Sequence, residues 1–512
     1  MKGQLTRTQK AFLNAKISMI CYFVGLVTTF FTRKIFLDYL GDAFIGLTGT
    51  LQSLLGFLNL AELGVSAAIA FVLYRPIFDS DRDKIKEIIA VLGFLYRCIG
   101  YFILVGGIVL SLFLPLVFKD ITIGLGVVYF GFYAYLCSSL LGYLVNYRAA
   151  LLSADQKNYL VTGYYQLTSS IKAIVQMGLA FYLQNFYLFL SIELIFAVVN
   201  SVILNWKINK TYPWLKLKEY NGRKLLKNYP IVGVKIKQLI IHRIGSFIQF
   251  QIMPFFVYSY VSLPMVALYG NYSMISQRIE GFLNSLSTGL YAGVGNLIAE
   301  GNKDKMICFY KELMVARIAI SAVISICLCN LLSPLVIVWL GSSYELNQTF
   351  VTLISIASFM NLCRSTTDQF VSGFGLFGDV WAPFAEASIY IVSALILGPI
   401  WGLNGLILAP ILSLGIIIYI WKPFWLFSRG FKIPVFKYWE WFMSYMIPIV
   451  ALFYCIPLIC NSVISENEIS QSWMNLIKGC ILYFCVSCIT IGLTLSVLFK
   501  SMRAFLSRFL RK

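Results

Sequence analysis

Gly56-Phe57-Leu58-Asn59, with Gly64 five residues past the asparagine, returns 225 residues later as Gly281-Phe282-Leu283-Asn284 with Gly289 at the same offset. Each copy is followed by a polar turn containing Asp-Lys, Asp83-Lys84 in the first and Asp304-Lys305 in the second. Lys16-Ile17 and Lys235-Ile236 open the preceding apolar runs in the same way. A repeat of this length points to a chain built from two like halves. Of 512 residues, 59% are hydrophobic and only 12% charged, whereas soluble domains carry about 25% charged residues. Mean hydropathy is +0.80. An ordinary water-soluble domain is excluded, and the fold class expected is an all-α polytopic membrane protein.

A spanning helix needs roughly 20 apolar residues, and breaking the apolar runs at charge and turn clusters gives about fourteen of them. They fall near 12–32, 44–74, 89–115, 122–147, 161–183, 186–206, 231–257, 265–298, 313–340, 350–373, 381–397, 402–421, 440–460 and 475–499. The repeat relates the second span to the eighth. Six spans separate the copies, an even number, so both enter the membrane from the same side. The expected architecture is two parallel six-helix lobes about a pseudo-two-fold axis along the membrane normal, plus two C-terminal helices. The corresponding domains are an N-lobe at 1–206, a cytoplasmic linker at 207–229 carrying Pro213, a C-lobe at 230–425, and 426–512 with the last two spans and a basic tail.

Lysine and arginine collect in alternate loops. One set holds Lys2, Arg7, Lys10 and Lys16, then Arg75, Arg82, Lys84 and Lys86, then Arg148 and Lys157, then the dense 207–227 segment. It continues through Lys303, Lys305 and Lys311, then Lys422, Arg429, Lys432 and Lys437, and ends in 500–512. The opposite loops show Arg33, Lys34 and Lys119 only. Basic residues stay cytoplasmic, so both termini are expected inside, and the net charge of +19 reflects topology rather than nucleic-acid binding. In the tail, Met502, Phe505, Leu506, Phe509 and Leu510 keep helical spacing among basic residues, a pattern suited to an anionic inner leaflet or to a frayed end.

Most of the twelve cysteines lie in apolar runs, where thiols behave as small hydrophobes. Cys485 and Cys488 form a CxxC without a surrounding βαβ pattern, and one histidine cannot build a metal site, so neither a metal nor a cofactor is expected. The first apolar run, 11–32, exceeds a signal h-region and reads as a span. No GxxxxGK[ST] loop is present, no catalytic constellation emerges, and the longest outer loop, near 461–475, is too short for a transferase site.

Ionisable residues within spans are functional candidates by default, because burying a charge in hydrocarbon is costly. The seventh span carries Lys235, Lys237, His242 and Arg243, and the eighth Arg278 and Glu280; Asn59 and Glu62 lie on the second. Arg97, Lys172, Glu193, Arg364, Asp368 and Glu386 are scattered elsewhere. Guanidinium groups suit phosphate through paired donors, which nominates Arg243 and Arg278; a structural salt bridge to Glu280 or Glu62 is the competing reading. Lys235 and Lys237 can snorkel to the interface. Arg364 and Asp368, four apart on one helical face, can neutralise each other. Asn59 and Asn284, the repeat-related pair, suit either sugar hydroxyls or helix packing. The substrate-binding candidates are therefore Asn59, Glu62, Arg243, Arg278, Glu280 and Asn284, and the coupling-ion candidates Glu62, His242, Glu280 and Asp368.

Two six-span halves plus two further spans, the stretch ending Tyr39-Leu40-Gly41, and Leu60-Ala61-Glu62-Leu63-Gly64 in the second span resemble the polysaccharide flippases, of O-antigen (Wzx) type, in the multidrug/oligosaccharidyl-lipid/polysaccharide (MOP) exporter superfamily. The resemblance covers essentially the whole chain. It implies a pair of lobes working by alternating access on an undecaprenyl-pyrophosphate-linked oligosaccharide, carried from the cytoplasmic to the periplasmic leaflet of a bacterial inner membrane for surface polysaccharide biosynthesis. It also implies that spans one, two, seven and eight border the cavity, and that polymerase or assembly proteins are partners. A lipid II flippase and a drug/cation antiporter of the same superfamily are the rival transport readings. A membrane glycan polymerase or ligase is the enzyme reading, and it calls for a large outer catalytic loop that this sequence lacks.

Overall fold

The computed structural model describes residues 7–510 apart from 63–64, 120–122, 156, 218, 231, 234–235, 237–251 and 377. Among the described residues there is no strand, and eight helices are long and apolar enough to cross a membrane. Packing divides the chain into two compact units, Met1–Ala267 and Leu268–Lys512.

The first unit contains α1 (Arg7–Leu40), α2 (Asp42–Leu58), α3 (Val65–Phe78), α4 (Arg82–Ser111), α5 (Leu125–Leu144), α6 (Asn158–Leu183), α7 (Phe186–Thr211) and α8 (Met253–Tyr260). Gly41, at φ 83°, turns the chain between α1 and α2 in a conformation that favours glycine. Asp81 caps α4 by accepting from the Lys84 N–H, and Asn185 caps α7 by accepting from that of Leu188. α1 packs along α6, α6 along α7, and α5 along both α4 and α7. Glycine sets one close approach: Gly46 lies so near the Leu263 carbonyl that a Cβ there would collide with it.

The second unit is built around α10 (Lys303–Leu340), against which pack α11 (Gln348–Cys363), α14 (Phe436–Asn461), α15 (Trp473–Leu498) and α16 (Lys500–Leu510). α9 (Leu263–Ala299), whose first turn belongs to the first unit, α12 (Ser365–Gly373) and α13 (Ala382–Ile416) complete it. Val315, Ile318, Ile326, Tyr310, Phe370 and Phe427 are buried at its centre. α13 is two helices meeting at Gly402, whose φ of 56° and ψ of −130° belong to glycine alone. That bend separates the two spans expected at 381–397 and 402–421. Gly405 then sits against the Leu397 carbonyl, closer than any side chain allows.

Three expectations change. The second span, read as one helix over 44–74, is broken: α2 stops at Leu58, a tighter 3₁₀ turn covers Asn59–Glu62, and α3 begins at Val65. The matching Gly281-Phe282-Leu283-Asn284 lies inside the unbroken α9, so the repeat-related asparagines occupy different backbones. The tenth span, 350–373, divides at Arg364 into α11 and α12. The tail is a helix whose Met502 is buried and whose Phe505 and Leu506 pack on the second unit's core, so these three side chains meet protein rather than lipid. The seventh expected span, 231–257, lies largely outside the described residues.

The segment after α7 docks on the start of α4. Gly222 packs against the Ala90 carbonyl, the Tyr229 hydroxyl donates to Glu87 at 2.7 Å, and Arg82 lies 5.6 Å from the Trp214 ring centre. Backbone contact at glycine and a tyrosine anchor hold this segment, which lies inside the first unit, on the start of α4.

Candidate functional site

In the first unit the 3₁₀ turn after α2 presents Asn59 and Glu62 to neighbouring helices. Asn59 Oδ1 accepts from Ser139 at 3.0 Å and from Tyr143 at 3.1 Å, both on α5. Glu62 accepts from the Tyr96 hydroxyl of α4 at 2.7 Å, and the Tyr96 and Tyr143 rings meet edge to face at 5.6 Å. The two candidates therefore belong to one network that ties the broken span to α4 and α5. Tightening a helix in mid-run often marks a hinge, and here the network fixes the turn from both sides.

A second constellation lies on α6 and α7. Lys172 Nζ is 2.7 Å from Glu193 Oε1, and Gln176, itself buried, donates to Glu193 Oε2 at 3.3 Å. Toward one end of α7, Asn146 donates to Ser201 at 2.9 Å and accepts from Asn205 at 3.1 Å, while Arg148 reaches Asn205 at 2.7 Å and Asn209 at 2.9 Å. Sequence reading singled out Lys172 and Glu193 but missed Gln176 and the asparagines. The signal was available: 193, 201, 205 and 209 are polar at multiples of four, one face of a helix. Gln176 and the asparagines carry no charge, so nothing in any one of them marks a site by itself.

In the second unit Arg364 bonds Asp368 at 2.9 Å and lies 3.5 Å from Glu386. One guanidinium thus serves two carboxylates where sequence spacing suggested one. Arg317, buried on α10, donates to Ser365 at 2.7 Å; sequence reading placed nothing there, because a single arginine in a long apolar run carries no partner information. Arg278 and Glu280 are both half-buried on α9, Glu280 within hydrogen-bonding reach of Ser358, whereas Asn284 on the same helix is exposed. Lys235, Arg243 and His242 lie outside the described residues. Among the described residues no group of three His, Cys, Asp or Glu side chains can hold a metal ion, and the twelve thiols are free.

Solved structures share this arrangement of helices. The lipid II flippase MurJ in an inward closed conformation matches over 95% of this chain and 99% of its own, with a TM-score of 0.65 at 14% identity. The fold is that of the MOP-superfamily transporters. An inward-facing multidrug resistance MATE family transporter of the same superfamily matches over 82% of this chain and 99% of its own, with a TM-score of 0.57 at 12% identity. No family model matches the sequence, and no curated protein matches it. The chain is thus a multi-pass membrane protein whose structural relatives are transporters, and the identities are low enough that the likeness is one of fold.

Proposed function

We propose that this protein is a flippase that moves undecaprenyl-pyrophosphate-linked oligosaccharide repeat units from the cytoplasmic to the periplasmic leaflet of a bacterial inner membrane by alternating access. The supporting observation is the fold shared with a lipid II flippase over 95% of the chain, against 82% for the multidrug transporter. The sequence adds a basic lean: Lys235, Lys237, Arg243 and Arg278 fall in the seventh and eighth spans, and guanidinium groups suit pyrophosphate. In this reading fourteen spans form two six-helix lobes, 1–206 and 230–425, joined by the 207–229 linker and followed by two helices and the tail. The residues proposed to meet the cargo are Arg243 and Arg278, for the pyrophosphate, and Asn59, Glu62, Glu280 and Asn284. Glu62, His242, Glu280 and Asp368 are the groups from which a coupling ion site would be drawn. Polymerase or assembly proteins would take up the product.

Lipid II is the second reading, favoured by the same structural likeness. Both cargoes are anionic prenyl-linked saccharides, so the fold accommodates either. The leaflet distribution of undecaprenyl-linked oligosaccharide in cells with and without the protein separates the cases. Accumulation on the cytoplasmic side without it supports the flippase reading. An intermediate that still crosses but is not extended overturns it in favour of a glycan-polymerising enzyme. Accumulation of lipid II alone selects the second reading. Arg278→Ala is expected to lower export while membrane insertion stays intact, and normal export from that variant would remove Arg278 from the site.

A further inference from the structure

α5, α6 and α7 border a half-open cavity of about 280 Å³ within the first unit, lined by Ser138, Asn146, Thr168, Lys172, Glu193 and Asn200. Its charges are already matched. Lys172 and Glu193 pair at 2.7 Å, and Gln176 takes the second carboxylate oxygen at 3.3 Å. The pair is neutral in sum, so it offers an incoming ion of either sign no net attraction to offset the cost of leaving water. A hydrocarbon chain would leave amide and hydroxyl groups facing apolar matter, which costs free energy. The ligand that these walls tolerate is neutral and rich in hydrogen-bonding groups.

The wall chemistry narrows it further. An ammonium carries three donors and a hydroxyl oxygen two acceptor sites. Lys172 spends one donor on Glu193, and Ser138, which donates to the Ala134 carbonyl at 2.8 Å, keeps acceptor capacity. Asn200 accepts from Thr168 at 3.2 Å and presents its amide nitrogen as a further donor. Tyr165 and Phe196 add aromatic surface to the same cavity. Donors, acceptors and a flat apolar face in one small chamber match a saccharide ring, whose hydroxyls both donate and accept while its C–H face lies on an aromatic. We propose that this cavity binds one neutral sugar unit of the transported lipid. The inference rests on the flippase reading and locates a glycan-recognising subsite within the first unit alone.

The test uses the purified full-length protein in lipid nanodiscs. Binding is measured for undecaprenyl pyrophosphate and for its conjugates with N-acetylglucosamine, glucose and galactose. At least one conjugate is expected to bind about tenfold tighter than bare undecaprenyl pyrophosphate, the return on one or two net hydrogen bonds. Ser138→Leu fills the cavity without touching the ion pair, and is expected to abolish that gain while leaving affinity for undecaprenyl pyrophosphate and the melting temperature unchanged. If Ser138→Leu fails to fold, Asn200→Ala, which removes a donor without adding volume, is read in the same way. A sugar-dependent gain that persists in the variant, or no gain from any of the sugars, overturns the inference and leaves the flippase reading standing. Failure of every one of these lipids to bind overturns the flippase reading and the inference together.

Discussion

Arg364 stands between two carboxylates, Asp368 at 2.9 Å and Glu386 at 3.5 Å, with Glu386 nearly inaccessible to solvent. Arg364 and Asp368 are part-exposed and Glu386 is buried, so removing Arg364 takes a cation from a buried carboxylate, a loss of up to about 3–5 kcal/mol for a fully buried pair. Arg364→Met is therefore expected to lower the melting temperature sharply in detergent, whereas Asp368→Asn, which leaves Glu386 as the partner, lowers it far less. The pair also separates two roles for Asp368. If Asp368→Asn keeps both stability and export, the carboxylate is only a neutralising partner; if stability holds and export fails, it carries the coupling ion. The four-residue spacing is visible in the sequence but Glu386 is not, because a contact between residues 364 and 386 depends on how α13 packs against α11.

At the scale of elements, helix ends carry the testable chemistry. Asp81, on an exposed turn, accepts from the Lys84 N–H at 3.1 Å and pairs with its ammonium at 3.1 Å. The backbone hydrogen bond first, and the side-chain bond next, hold the Asp81 carboxyl below its usual range. A carboxyl depressed in the folded state adds stability that is fully present above its unfolded pKa and is lost as pH falls through the folded value. Asp81→Asn keeps the cap but does not titrate. The melting temperature of the variant is expected to lie slightly below the parent near neutrality, where only the parent has the charged cap, and to converge with it in acid; a gap that stays constant from neutrality into acid would show that this cap contributes nothing to the pH dependence.

The tail helix α16 gives the next prediction. Arg508 lies 3.2 Å from Glu312, a carboxylate 1% exposed on α10, and α16 places Met502, Phe505 and Leu506 on the core beside it. Arg508→Ala leaves a buried charge without this partner, so hydrogen exchange across 500–510 is expected to rise, and adding Glu312→Gln to restore protection. Exchange unchanged in the single variant would mean that apolar packing alone holds the helix. Amphipathic spacing in 502–510 was plain from sequence, yet spacing does not say whether the apolar side meets lipid or protein. The burial of Glu312, which follows Lys311 just before the expected 313–340 span, is the half of the pair that spacing does not disclose.

For the whole molecule, the helical membrane class and the separation of two spans between 397 and 402 are legible in the sequence, because hydropathy and charge act locally along the chain. The break at Asn59 was hidden, since it depends on Ser139, Tyr143 and Tyr96 reaching in from other helices. Orientation remains the property on which the parallel repeat depends. Basic residues cluster at 207–227 and 500–512, and the 461–472 segment between the last two long helices has none. A green fluorescent protein fused after Lys512 is expected to fluoresce, whereas alkaline phosphatase inserted at Asn467 is expected to be active, because one reporter folds inside and the other outside. The opposite pattern would place the basic loops outside, against the charge rule. A phosphatase active at both sites would mean that α15 does not cross. The span count after the linker would then be odd, and the assignment of two C-terminal spans beyond the repeat would have to be given up.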